Sequence, residues 1–397
     1  MARINIVVPT LSDNVFSGGI WCIFEYAHGL VKRGHDVTII PIAPSPYPAW
    51  FKLPIGRVIT DTIGGRVKNA TKALVRAGLS GISTSNASKM LIRQAMTRVC
   101  LLRPGLFCDP IRWGIAEAYV LDIAPDADIT IATSFETARP ASLLTGTKFY
   151  FLQHYEADFY LCGYFADPSH ASTVARQTYR LGFRLIANSS WLQNKLQSEL
   201  GDIPIALCPN AINHEVFNAE PKAPTSSRRV AIISYGGRDA IWKGFREMAE
   251  AVAIARAALP EFELEWRVYG NALVKPGEIT PYVPLGFLSP TRLSEEYKKA
   301  DILLSASWYE SFPLFPIEAM ACGLAVITTQ FGTEEYAVHG KTAEIVQPKN
   351  PQSIAEGLIK LVRDEAYRLR LATAGNQASR EFHWDRSVER LESILLS

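Results

Sequence analysis

The sequence predicts an α/β protein of two domains, each a doubly wound parallel sheet, on three observations. Short β-rich runs alternate with helical runs along most of the chain, and strands spaced by helices pair in parallel. Between Pro204 and Arg229 the composition changes, ending in a polar, Pro-containing, turn-prone stretch, Ala219–Ser227. The chain has 397 residues, more than one hydrophobic core usually organises.

Taken in order, Ile4–Pro9 opens on Ile4-Asn5-Ile6-Val7-Val8, a β-branched run that predicts a strand. Ile20–Arg33 predicts a helix and Val37–Ile42 the next strand, followed by strands at Ile129–Ser134, Lys148–Gln153 and Arg184–Ala187. A second series starts at Val230–Ser234. It continues with a helix at Phe245–Ala258, a strand at Glu263–Tyr269, a helix at Leu293–Lys299, a strand at Ile302–Ser305, a helix at Pro316–Cys322 and a strand at Ala325–Thr328. The expected division is residues 1–207 as the first domain, 208–229 as a linker and 230–383 as the second domain.

With 48% hydrophobic and 20% charged residues the chain reads as a soluble globular protein, and a net charge of +2 argues against a dedicated nucleic-acid binder. No apolar run reaches the ~18 residues of a membrane span, and Met1–Thr10 runs straight into a strand with no signal-peptide core before it. The six cysteines form no CxxC pair, so reduced thiols in a cytoplasmic enzyme are expected. Arg57, Arg66, Lys68, Lys72, Arg76, Lys89, Arg93, Arg98 and Arg103 make one region strongly basic. It reads either as a solvated face or as a contact with the inner face of a membrane or a lipid-linked acceptor.

The segment Ser307–Gly323, SWYESFPLFPIEAMACG, carries most of the functional signal. The apolar run Ala300–Ser307 precedes it, Pro316 suits a first helical turn and Gly323 a C-terminal cap, so the order is strand, loop, helix. A helix N-terminus at the carboxyl end of a strand offers unpaired N–H groups to a phosphate. Pro313 and Pro316 lack an N–H, which leaves Leu314 and Phe315 as the donors there. Glu310 falls in the loop and Glu318 in the expected first turn, where two carboxylates accept from the paired hydroxyls of a sugar or ribose; a first-turn Glu also serves simply as a dipole partner.

Four other places stand beside it. Gly18 and Gly19, before the first helix, either allow close approach to a ligand or form a tight turn. Gly237 and Arg238, with Lys243 five residues on, flank a helix start after the strand Val230–Ser234, as a diphosphate clamp or as solvated cations. His154 follows the strand Lys148–Gln153, where an imidazole hydrogen-bonds a sugar hydroxyl or stabilises charge near an anomeric carbon. Asn210 follows Pro209 and either meets a nucleotide or caps a turn. His28, His35, His170 and His383 show no ligand spacing and read as surface or capping residues.

Glu310, Glu318 and Ala319-Met320-Ala321-Cys322-Gly323 resemble the signature of the family 4 retaining glycosyltransferases, two glutamates separated by seven residues and then Ala-Met-Ala-x-Gly. Phe151–Glu156, Tyr179–Phe183 and Ser234–Arg238 resemble the rhamnan-synthesis rhamnosyltransferases within it. This resemblance implies a GT-B fold, two Rossmann-like domains facing a central cleft, with Trp384–Leu396 crossing back to the first domain. It implies transfer of a sugar, rhamnose in the subgroup, from a nucleotide-sugar donor to a cell-surface polysaccharide or lipid-linked glycan, without metal or other cofactor. The implied roles are Arg238 and Lys243 on the diphosphate, Glu310 on the donor sugar, Glu318 on the ribose and His154 at the reaction centre. The family's histidine is commonly followed by Asp, where this chain has Tyr155 and Glu156, which leaves the role of Glu156 open. The alternatives are a GT-B sugar-nucleotide epimerase and a catalytically silent sugar-nucleotide-binding partner in a glycan-assembly complex.

Overall fold

The structure is a computed structural model and describes residues 1–12, 17–60, 110–159, 168–225, 227–237, 240–275 and 277–397. Arg238 and every basic residue named above from Arg66 to Arg103 lie outside the described residues. Arg57 is described and is exposed.

The chain divides into two compact units. The first comprises Met1–Ala187, Leu200–Ala206 and Val388–Ser397. Its sheet contains β1 (Arg3–Val8), β2 (Asp36–Pro41), β3 (Arg57–Val58), β4 (Ile129–Ala132), β5 (Thr147–Leu152), β6 (Arg184–Ala187) and β7 (Ile205–Leu207), in the order β3-β2-β1-β4-β5-β6-β7. The pairs from β3 to β6 are parallel. The inner strands are buried along nearly their whole length, as in a parallel sheet covered on both faces. The final helix, Trp384–Leu396, begins in the second unit, and from Val388 onward belongs to the first. Glu392 pairs there with the Arg33 guanidinium and, at 2.8 Å, with His35 Nε2. His35 is therefore a buried strut rather than a surface residue, because its Nδ1 also accepts from the Ala2 N–H at 3.2 Å.

The second unit comprises Asn188–Glu199 and Leu207–Ser387. The stretch 188–199, expected within the first domain, groups here, as does the whole of 208–229. Its sheet contains β8 (Arg229–Tyr235), β9 (Glu263–Tyr269), β10 (Val283–Gly286), β11 (Ile302–Leu304), β12 (Ala325–Thr328) and β13 (Glu344–Ile345), in the order β10-β9-β8-β11-β12-β13, all parallel. Successive side chains of a strand point to opposite faces. Ile232, Ile302, Leu304 and Ile327 accordingly enter one core with the helices Phe245–Ala258 and Pro351–Arg363. Ile233, Leu303 and Val326 enter the other with the helices Pro290–Lys299 and Leu314–Ala321. In sequence order within each unit, the strands run 3-2-1-4-5-6, with a seventh at the edge of the first unit's sheet, the doubly wound arrangement in which ligands bind beyond the carboxyl ends of the strands at the reversal point.

Candidate functional site

In the second unit the reversal point lies between β8 and β11, neighbours through Ile232 and Ile302. The loops leaving these two strands therefore emerge side by side, and they carry Gly236–Gly237 with Lys243, and Ser305–Glu310. Lys243 ends a single 3-10 turn, Ile241–Lys243, and Gly244 follows with φ of +70°. A Cβ at Gly244 would stand 2.1 Å from the Ala306 carbonyl oxygen, so only glycine lets the two loops meet this closely. The Trp308 N–H donates to the Trp242 carbonyl at 2.7 Å, and the Trp308 indole N–H reaches Glu247 at 3.1 Å.

These contacts bring Lys243 Nζ onto the Glu310 carboxylate in a direct ion pair. The same ammonium lies 5.5 Å from the Phe315 ring centre and 6.0 Å from that of Tyr235. Those two rings stack at 5.1 Å. A cation held by a carboxylate and two π-faces is oriented without being sealed off, since about a fifth of the Lys243 side-chain surface remains exposed (21%).

The helix after Glu310 starts earlier than expected. It spans Leu314–Ala321, with Pro313 at the N-cap and Leu314 and Phe315 as its first two residues. Their N–H groups precede the intrahelical ladder, as the proline positions predict. Glu318 therefore lies in the second turn, and no acidic residue occupies the first. It keeps partial exposure, yet burial of its carboxyl pushes the pKa up to about 8. The helix ends in a Schellman motif: Gly323 N–H donates to Met320 at 2.9 Å and Leu324 N–H to Ala319 at 3.1 Å. Gly323 has φ of +77°.

Asn210 is buried, and its Oδ1 meets no donor among the described residues. That arrangement does not suit a simple turn cap, whose oxygen would accept from the backbone.

In the first unit, Ser17 caps the helix Gly18–Lys32 by accepting from the Ile20 N–H at 3.2 Å. A Cβ on Gly19 would lie 3.9 Å from Gln153, so the glycine turn stands beside the end of β5. His154 is half-buried directly after that strand. Glu156 Oε2 accepts the Phe135 N–H and the Tyr150 hydroxyl, each at 2.8 Å. One carboxylate oxygen thus already ties a helix start to the strand β5, which argues for a structural role over a general base.

The second unit also holds residues that sequence reasoning passed over. Trp191, at the start of the helix Ser190–Leu200, stands edge-on to Tyr309 at 5.0 Å and to Phe331 at 6.1 Å. Glu335 accepts the Ser190 N–H through Oε1. Their only sequence signal is position: Tyr309, Phe331 and Glu335 follow the carboxyl ends of β11 and β12, as Glu310 does.

Residues 283–378 match the model of the family described as Glycosyl transferases group 1. The chain is 28% identical over 294 residues to the O-antigen biosynthesis protein RfbC of Myxococcus xanthus, covering 69% of this chain and 21% of that protein. It is 30% identical over 182 residues to the D-inositol 3-phosphate glycosyltransferase of Corynebacterium jeikeium, covering 42% of this chain and 43% of that one. The chain thus spans well under two thirds of the length of these curated relatives. Among solved structures it is similar to sucrose-phosphate synthase from Thermosynechococcus elongatus, with a TM-score of 0.68 at 16% identity over 99% of this chain and 98% of the other. It is also similar to Anabaena Alr3699/HepE in complex with UDP-glucose, with a TM-score of 0.69 at 15% identity over 100% and 99%. Low identity across nearly full length fixes architecture, and the strand orders agree with it. The chain accordingly has the GT-B fold, and its residues 283–378 match the Glycosyl transferases group 1 model.

Proposed function

We propose that the chain is a retaining, metal-independent glycosyltransferase that moves a hexosyl group, rhamnose by the resemblance of its motifs, from a nucleotide sugar to a polysaccharide or lipid-linked glycan. The observation that carries this reading is the Lys243–Glu310 pair at the reversal point of the second sheet, with Glu318 and the free N–H groups of Leu314 and Phe315 beside it. An ammonium has three donors. A diphosphate arriving at the helix start shares Lys243 with Glu310, and the carboxylate gains freedom to accept donor-sugar hydroxyls. As the glycosidic bond breaks, charge grows on the leaving diphosphate, where Lys243 and Arg238 stabilise it in place of a metal. Glu318 accepts from the ribose, and Asn210 offers its unpaired amide oxygen to the nucleotide. By the resemblance of their motifs, Gly18, Gly19 and Gly237 are assigned to ligand approach and His154 to the reaction chemistry. The O-antigen and glycosyltransferase relatives, and the bound UDP-glucose of the Anabaena protein, support the class of donor and acceptor. No helix among the described residues is long and apolar enough to cross a membrane; the proposal adds a cytoplasmic site of action.

The test is nucleoside-diphosphate release from UDP-glucose, UDP-N-acetylglucosamine, GDP-mannose and dTDP-L-rhamnose, with and without lipid-linked acceptor, followed by NMR of the product's anomeric proton. Acceptor-stimulated release from one donor, a retained anomer and indifference to EDTA are expected. No release from any donor, an inverted product, or activity that EDTA abolishes and magnesium or manganese restores would each overturn the corresponding part.

A further inference from the structure

Within the second unit, Tyr309 and Phe331 face one another at 6.4 Å and 32°, and Trp191 stands nearly perpendicular to both, at 83° and 86°. Three rings so placed make an aromatic corner. Tyr309 is buried, while Trp191 and Phe331 keep part of their surface accessible. The corner is built rather than accidental. Gly332, at φ of +69°, presses the Phe331 loop onto Ser311, where a Cβ would stand 2.2 Å from the carbonyl oxygen. Thr333 Oγ1 donates to the Thr329 carbonyl, and Thr329 Oγ1 to that of Ser307, each at 2.8 Å. Glu335, from the same loop, holds the first N–H of the helix that carries Trp191.

Only Oε1 of Glu335 is used this way. Its Oε2 is buried and meets no donor among the described residues, and a shielded carboxylate oxygen left unpaired is unfavourable until a donor reaches it. The neighbourhood is shared with the residues of the proposed donor site. The buried Tyr336 hydroxyl, which donates to the Pro313 carbonyl at 2.7 Å, is held well above its ordinary pKa by burial and then by Glu310, Glu335, Glu334 and Glu318. Glu335 is therefore within electrostatic reach of the same buried phenol as Glu310 and Glu318.

A hexose ring combines an apolar C–H face with a rim of hydroxyl donors. Aromatic surface suits the first and an unpaired carboxylate oxygen the second. We infer that Trp191, Phe331 and Glu335 form a glycosyl-recognition subsite, in which Phe331 takes the C–H face of the donor's hexose, Trp191 walls its edge and Glu335 Oε2 accepts one of its hydroxyls. The inference rests on the proposed donor site, and it adds residues that select the sugar rather than the nucleotide.

The experiment compares Glu335→Gln, Phe331→Leu and wild type by calorimetric titration with UDP-glucose, GDP-mannose and dTDP-L-rhamnose, and with UDP, GDP and dTDP alone. Saturation-transfer NMR on the same samples, irradiating aromatic protons, reports which sugar protons lie against rings. Glu335→Gln keeps an oxygen for the Ser190 N–H and replaces the other acceptor by a donor. Affinity for the bound nucleotide sugar is expected to fall about tenfold or more in that variant, with affinity for the matching free diphosphate within about twofold. In wild type, ring protons should saturate the sugar's C–H protons, and Phe331→Leu should weaken that transfer. Unchanged sugar-nucleotide affinity, or equal losses for diphosphate and sugar nucleotide, overturns the subsite while leaving the proposed function standing. Failure of wild type to bind any of the six ligands overturns the proposed function itself, and the subsite with it.

Discussion

Lys243 and Glu310 hold each other before any donor is present, so their contributions to turnover should overlap. Lys243→Ala is expected to lower nucleotide release about 10²- to 10³-fold, the usual cost of losing one transition-state donor. Glu310→Ala should lower it comparably, and the double variant by much less than the product of the two. Steady-state rates for the four proteins decide the point, and multiplicative losses would mean that the pair is incidental. Glu318 makes a second prediction, through acidity. Its carboxyl is raised from an ordinary value to about 8 by burial, so between about pH 4.5 and 8 the folded protein binds more protons here than the unfolded chain. Stability from this group is therefore present at low pH and lost as pH rises through that window. Glu318→Gln stays neutral throughout. Its melting temperature relative to wild type should climb from pH 5 to pH 8, and parallel melting curves across that range would contradict the assignment.

At the scale of single elements, the loop geometry depends on a few positions that accept no side chain. Gly244→Ala combines a left-handed backbone with a Cβ driven into the Ala306 carbonyl. A cost of about 1–3 kcal/mol is expected from the backbone alone, seen as a lower denaturation midpoint. Activity should drop further than stability explains, since Lys243 is the adjacent residue; a variant with full activity would show that the turn need not be fixed. The inner strands of both sheets were legible in the sequence, because inner parallel strands are continuous apolar runs and Val230–Ser234 and Ala325–Thr328 read as such; the edge strands β3, β7, β10 and β13, only two to four residues long, were not. The helix Leu314–Ala321 was legible as a helix but misplaced by two residues. Leu314 and Phe315 carry no start signal of their own, and Pro313, usually read as a boundary, serves as the cap. The Lys243–Glu310 pair was invisible as a pair, since 67 residues separate them and only strand order makes them neighbours. Trp191 was missed for the same reason: its partners Tyr309 and Phe331 come from loops far along the chain. His35 was misread because its partner, Glu392, lies at the other end.

Across the whole molecule, the last residues complete the first unit. Val388, Leu391 and Leu395 are buried, and Val388 fills the space that a Cβ at Gly29 would occupy, 2.3 Å away. Leu391→Ala should cost about 2–5 kcal/mol, the range for a truncated core leucine. Hydrogen exchange would locate the damage: lost protection in β1, β2 and the helix Gly18–Lys32, with β8, β9 and β11 unaffected, is expected, and uniform loss would refute a local role. The consequence reaches into synthesis. A ribosome adds about 5–20 residues per second, so residues 188–387 take tens of seconds to emerge after the first unit's sheet strands through β6. Throughout that interval the nascent chain lacks Glu392, which pairs with Arg33 and His35, and Val388, which packs on Gly29, while the second unit comprises nothing made later than Ser387. The half translated first is thus finished late, and a chain that stops before Val388 would leave its first unit with an open seam.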